Sequence, residues 1–459
     1  MEQAAKRGRA QIKDGGQKGQ KQGKNGLLKG AAWIAIGGFI AKLIGGLYRI
    51  PLTNAIGGQG LGLYQLVYPV YCLFLTVATG TPSSVSKLTA ESISRGHSAQ
   101  PLFKTAMKLF LSVGIGASAL MAIIAPFIAN AQGGTEVLSG YYALTPAVAL
   151  VSAISVFRGY FQGKNDMIPT ALSEVVEQVV KVGLGLLFAY FFRGDIAQTV
   201  VWLLLAVTLS EVVALILLYV VYKREKSGLK LENTPPMYAL KPILRLSIPV
   251  TISGLLLPAS HLLDSVLVPR LLSAYTEKAV TLYGLFAGGA VTLINLPVSV
   301  CYGIAAASIP IVASATAKGG RKAGWRRVRF SLFVTAAVAL PCAVGLYAFA
   351  DIAVRILFRN LSVYESQTLV RLTKILAVST LTLSCVQTLS ACLTAQGKPQ
   401  YAAFSWGIAL FVKTVAYLVW LKNPSASILG LAYATNLAYL VAFLLHLLYN
   451  FYASKKRKE

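Results

Sequence analysis

The sequence predicts an all-α polytopic membrane protein, with about twelve transmembrane helices in two pseudo-symmetric six-helix lobes around a central cavity. Three observations predict it. Of 459 residues, 56% are hydrophobic and only 13% charged, whereas a soluble chain carries about a quarter charged residues. Apolar stretches of about 20 residues, enough to cross hydrocarbon, recur along the whole length. Basic residues alternate with those stretches in a one-sided pattern.

The apolar stretches lie near 27–48, 63–86, 105–130, 137–160, 169–192, 198–222, 243–268, 281–308, 328–353, 368–394, 401–421 and 427–452. Hydrocarbon offers the backbone no hydrogen-bond partner, so each is expected to be helical. With the N-terminus placed in the cytoplasm, 31 Lys and Arg fall on that side and nine on the other; three more, Lys42, Lys181 and Lys413, lie within helices. This bias obeys the positive-inside rule. It predicts an even number of spans with both termini cytoplasmic. It also accounts for most of the net charge of +27, so nucleic acid is not an expected partner. The first apolar stretch is expected to stay as a membrane anchor rather than be cleaved.

The division of the chain follows from the same pattern. Residues 1–26 and 454–459 are basic cytoplasmic tails. They either lie along anionic headgroups or, for 1–26, are a functionless extension. Residues 27–222 form an N-terminal six-helix lobe, and 241–453 a C-terminal one. The segment 223–240 is charged, contains Pro235 and Pro236, and reads as a cytoplasmic linker. Three weak matches in common order suggest a duplication. Gln162-Gly163-Lys164 ahead of Lys181 recurs as Gln396-Gly397-Lys398 ahead of Lys413. Leu63-Tyr64 recurs as Leu282-Tyr283, and Pro82 with Ser86 as Pro310 with Ser314. Six helices per half gives parallel repeats related by an axis along the membrane normal.

Catalysis is not expected. The five cysteines sit in apolar stretches without CxxC or Cys/His spacing, so neither a metal site nor a disulfide framework is predicted. No Walker A loop or Ser/His/Asp set stands out, and no cofactor is expected.

Ionisable residues inside spans carry the functional signal, because each costs at least about 2.5–3.5 kcal/mol at the bilayer centre. Lys42 and Arg49, seven apart, share one helical face. They form a cationic stripe lining a cavity, or Arg49 snorkels to the outer interface. Glu174, Glu177 and Lys181 share a face of the fifth helix, with Glu177 and Lys181 spaced for an intrahelical ion pair. That group is a buried pair or a substrate contact. Lys87 and Glu91 are an interfacial pair or a cytoplasmic gate contact. Asp264 is the single acid of the seventh helix and is expected to be protonated, ion-bound or paired, with His261 one turn away. Counted from the helix starts, Asp264 and Lys413 differ in depth by ~13 Å, so a direct pair requires strong tilt or a broken helix. Glu211 has no evident partner.

Tyr48-Arg49-Ile50-Pro51-Leu52, the stretch Gly60 to Gln65, and the run Pro82 to Glu91 (PSSVSKLTAE) carry a family resemblance. Arg158 to Gly163, continuing through Pro169 to Val182, and Leu282-Tyr283-Gly284 with Asn295-Leu296-Pro297 extend it. Over most of residues 30–450 the chain resembles the polysaccharide-exporter branch, stage V sporulation protein B-like, of the multidrug/oligosaccharidyl-lipid/polysaccharide flippase superfamily. More distantly it is similar to the lipid II flippases. The resemblance implies alternating access in a bacterial inner membrane. The implied cargo is an undecaprenyl-pyrophosphate-linked sugar precursor of cell wall or surface polysaccharide. It aligns Arg49 with a cavity arginine of the lipid II flippases, whose further cavity arginines fall here on uncharged residues. It also places Asp264 and, roughly, Lys413 at their sodium site, so the coupling ion is Na+ or H+, or Lys413 stands in its place. The substrate-binding candidates are Arg49, Lys42, Lys87, Lys181, Glu174 and Glu177. A cation-coupled multidrug exporter of the same superfamily, using the intramembrane acids, is the alternative; a non-transporting scaffold is a third.

Overall fold

The structure, a computed structural model, describes residues 37–76 (except Phe39 and Lys42), 82–133, 135–192, 194–225 and 236–454. Among the described residues every regular element is a helix. Eight helical segments are long and apolar enough to cross a membrane: Gln100–Ala131, Leu138–Gly163, Ile196–Arg224, Gly254–Ser273, Ala279–Ala348, Val363–Ala395, Pro399–Trp420 and Leu429–Ala453. Ile168–Phe191 carries Glu174, Glu177 and Lys181 between them in sequence.

Two glycines set the chain's reversals. Gly57 (φ 65) ends the first helix, and residues 58–76 form the second; Gly320 (φ 69) splits Val291–Ala348 into two helices. Positive φ is cheap only without a Cβ. The first helix therefore does not stop at residue 48, as its apolar content predicts, but continues through the amphipathic residues 49–56 to Gly57. Arg49 is inside a helix rather than at its end.

The helices pack as two groups. Gln100–Ala131, Leu138–Gly163, Ile168–Phe191 and Ile196–Arg224 pack in sequence on one another, and Val291–Ala348, Val363–Ala395, Pro399–Trp420 and Leu429–Ser454 do the same. Pro236–Ser273 touches both groups, through Gln100–Ala131 and Pro399–Trp420. The buried residues show how the groups meet. At one end a single core runs through both, from Leu52, Val67 and Leu204 to Leu282, Ile294 and Leu431. At the other end, where the basic connections lie, the cores separate. One is built on Val85, Phe103, Phe157 and Leu218, the other on Val312, Val328, Leu389 and Cys392. The halves diverge toward the basic end, and Val300, Tyr302, Ile309 and Ile311 are exposed there.

The closed end is held by backbone contact. A Cβ added at Gly284 would sit 2.3 Å from Gly62 N and 2.7 Å from Gly58 O; one at Gly62 would sit 2.2 Å from Val280 O. Gly284 thus packs between Gly58 and Gly62 of another helix, and Gly288, four residues on, receives Leu61, the small-residue crossing that lets membrane helices touch. Polar groups add to it. Asn54 Nδ2 donates to Leu357 O (2.7 Å) and Asn360 Nδ2 to Asn54 O (2.8 Å). Gln132 Nε2 donates to Leu66 O (2.9 Å) and to Ser265 Oγ (3.1 Å).

Gly284→Ala overpacks this crossing and is expected to cost about 1–3 kcal/mol, read as a fall of several degrees in Tm in detergent. Gly345→Ala, with nothing within 4 Å of its added Cβ, is the control and leaves Tm unchanged or higher. An unshifted Gly284→Ala would mean that the two helices do not touch there.

Candidate functional site

Arg49 projects from the first helix to the second group of helices. Its Nη1 lies 3.4 Å from both Ala287 O and Thr292 Oγ1. Ala287 lies in a single π-helical stretch, Leu285–Ala290. Such a bulge interrupts the regular backbone ladder and is common at functional sites. It provides the carbonyl that receives the guanidinium. Both acceptors are neutral, so Arg49 has hydrogen-bond partners without losing its charge. Beside it, Tyr64, Tyr68 and Tyr71 line one face of the second helix, with Tyr64 and Tyr68 stacked at 5.4 Å.

The fifth helix arranges its charges differently from the spacing. Glu177 does not pair with Lys181. Its Oε2 accepts from Arg158 Nη2 at 2.9 Å, with both side chains about 85% buried, and its Oε1 accepts from Gln178 Nε2 at 2.9 Å. Arg158, counted among the cytoplasmic-side basic residues, lies inside Leu138–Gly163, where Nε also donates to Ser173 Oγ at 3.0 Å. Lys181 has no ion pair among the described residues, and the charges of Glu177, Glu211 and Arg49 all act on it. Glu174 is half-buried and engaged. Glu211 is buried, and its Oε2 has no hydrogen bond among the described residues.

Lys87 is exposed and does not pair with Glu91, which bonds Arg95 at 2.5 Å one turn further on. The predicted interfacial pair is thus replaced by a neighbour of equal spacing. Lys42 lies outside the described residues.

In the second half, Lys413 and Asp264 form a direct ion pair, both side chains less than 10% exposed. The predicted depth difference does not keep them apart. The helix of Asp264 begins at Pro236 and carries exposed Lys241 and Arg245, so its start is not a marker of the membrane surface. Asp264 Oδ1 keeps no hydrogen bond among the described residues. His261 is exposed one turn away.

The result is a charge arrangement with a clear division. Arg158 and Lys413 are each paired to a carboxylate, whereas among the described residues Arg49 and Lys181 are not. Arg49 and Lys181 sit on packed helices, with Gly45 against Gln178 and Gly185 against Tyr48, and their charges act on one another. Sequence reasoning missed Arg158 as a member of this group. Its signal was present in the run Arg158 to Gly163, which looks like the end of a connection because the next residues, Lys164-Asn165-Asp166, are polar.

Helices of this length and apolarity, packed in two groups, define a polytopic membrane protein. The chain belongs to the polysaccharide biosynthesis protein family, whose model matches residues 27–316. It is 26% identical over 437 residues to stage V sporulation protein B of Bacillus subtilis (strain 168), covering 92% of this chain and 83% of the relative. To lipid II flippase MurJ of the same organism it is 26% identical over 347 residues, covering 70% and 64%. Among solved structures it is similar to an inward-facing multidrug resistance MATE family transporter of the MOP superfamily, with a TM-score of 0.76 at 17% identity, covering 90% and 94%. An outward-facing form of such a transporter gives 0.68, covering 93% and 96%. The inward closed conformation of lipid II flippase MurJ gives 0.70 at 14% identity, covering 91% and 87%.

Lys413→Met leaves Asp264 charged and alone in a buried site and is expected to destabilise by about 3–5 kcal/mol. Adding Asp264→Leu removes the orphaned charge and should recover most of that loss. Thermal unfolding in detergent measures both. A single variant as stable as wild type would show that the pair is not a structural tie.

Proposed function

We propose that this protein is a flippase that moves an undecaprenyl-pyrophosphate-linked sugar precursor of cell wall or surface polysaccharide from the inner to the outer leaflet by alternating access. The observation that carries the proposal is the pair Arg49 and Lys181, without carboxylate partners among the described residues, with Arg49 reaching Ala287 and Thr292 of the other half. A pyrophosphate cannot cross hydrocarbon unaided, but its prenyl tail can stay in the bilayer while the headgroup travels between the halves. Arg49 offers a forked donor and Lys181 a point charge to the phosphates. Lys42 and Lys87 would meet the headgroup on its way in, and the tyrosine face beside Arg49 would line the sugar's path.

The halves 27–222 and 241–453 act as the two lobes, joined through 223–240, with both termini in the cytoplasm of a bacterial cell. The cargo is carried and not chemically changed, so the protein is a transporter and not an enzyme. Moving one charge through 100 mV is worth about 2.3 kcal/mol, so two negative charges leaving a negative interior gain about 4–5 kcal/mol. The membrane potential can thus bias export, with Lys413 acting as a built-in cation on Asp264 in place of Na+ or H+. The multidrug-exporter alternative needs free acids facing the cavity; Glu177 and Asp264 are committed to Arg158 and Lys413, Glu174 is engaged, and Glu211 is buried.

Arg49→Ala removes one charge-assisted phosphate contact, worth about 1.5–3 kcal/mol. It should slow flipping of a labelled undecaprenyl-linked precursor in proteoliposomes by about tenfold or more, with Tm preserved. An inside-negative potential should speed the wild type. Full activity in Arg49→Ala would remove the central support for the proposal.

A further inference from the structure

We infer that Arg158 is a positioning residue that keeps Lys181 available to an anionic cargo by holding Glu177 away from it; this rests on the flippase reading above. Glu177 and Lys181 are four apart on one helix, the spacing at which a carboxylate and an ammonium pair by default. In the structure they do not. Arg158 reaches from the neighbouring helix and takes Glu177 Oε2 (2.9 Å), while Gln178 Nε2 takes Oε1 (2.9 Å). Both oxygens of the carboxylate are occupied. Arg158 is itself steadied, because Ser173 Oγ accepts from its Nε at 3.0 Å and Ser173 is fully buried. Of the further acids, Glu174 is engaged, and Glu211 has an Oε2 without a hydrogen bond among the described residues, so that oxygen does not hold Lys181 either.

A guanidinium suits this role better than an ammonium. Its planar fork can bond Glu177 and Ser173 at once and keeps its charge in every environment. One buried pair is thereby used to leave a second cation unneutralised. Without Arg158, Glu177 becomes an uncompensated acid with Lys181 as the nearest cation on its own helix. It would turn to Lys181 and neutralise the charge the cargo needs. Arg158 touches no cargo in this scheme and acts only through Glu177.

The test uses the full chain in lipid nanodiscs with farnesyl pyrophosphate as the probe, binding measured beside Tm. Arg158→Gln is expected to weaken binding about tenfold. Arg158→Gln with Glu177→Gln should return to within about threefold of wild type, because no carboxylate remains to capture Lys181. In a Lys181→Gln background, Arg158→Gln should have little further effect, which separates action through Lys181 from a general change of charge. Glu177→Gln alone, which does not depend on an orphaned acid folding, should bind as well as wild type or better. Loss of binding in Glu177→Gln would overturn the inference. So would a full Arg158→Gln effect in the Lys181→Gln background, or no recovery in the Arg158→Gln/Glu177→Gln variant. Wild-type binding that ignores Lys181→Gln would overturn the flippase reading as well as the inference.

Discussion

Everything in this fold turns on the cost of keeping a charge inside hydrocarbon. A lone ionised group there is expensive, and a buried pair only breaks even when its geometry is good. The chain meets this cost in two ways. Arg158 with Glu177 and Lys413 with Asp264 are closed pairs, one in each half. Arg49 is treated differently: neutral oxygens of Ala287 and Thr292 satisfy part of its fork and leave its charge standing. Lys181 is left with more freedom still. Charge is therefore neutralised at the two buried pairs and left in place at Arg49 and Lys181 among the described residues.

The closed end of the bundle makes that placement possible. Glycine faces glycine where the second helix crosses the helix starting at Ala279, and the side-chain core continues across the contact. With the halves in backbone contact at one end and carrying separate cores at the other, the space between them opens in one direction only. The contact is made of small groups, short hydrogen bonds at Asn54 and a Gln132 link, with no ion pair among the described residues crossing it. The charged link across the halves is Arg49, whose partners Ala287 and Thr292 are neutral.

Much of this was readable in the sequence. The spans from Gln100 to Ala131, Leu138 to Gly163 and Val363 to Ala395 lie within a few residues of their apolar stretches, because hydrocarbon length and hydropathy alone set them. The first helix was misjudged because its last turns contain Arg49, Thr53 and Asn54, whose polarity hides a helix that is shielded by the other half. The spacing of Glu177 and Lys181 gave the right face and the wrong partner. Helical periodicity describes neighbours on one helix and is blind to Arg158 on the next. Asp264 and Lys413 were read as one ion or ion-pair site, and the direct pair forms although depth counted from the helix starts set them ~13 Å apart; the helix of Asp264 begins earlier, at Pro236.

The sequence alone determined that the chain is helical, polytopic and one-sidedly basic, because these depend on composition and local period. It also marked out nearly every costly residue, since an ionisable group in an apolar run is conspicuous wherever the run packs. Which of those charges cancel was decided only by tertiary structure. Partner choice depends on contacts between different helices, as for Arg158 with Glu177 and Lys413 with Asp264, and in hydrocarbon that choice determines whether a cation is neutralised.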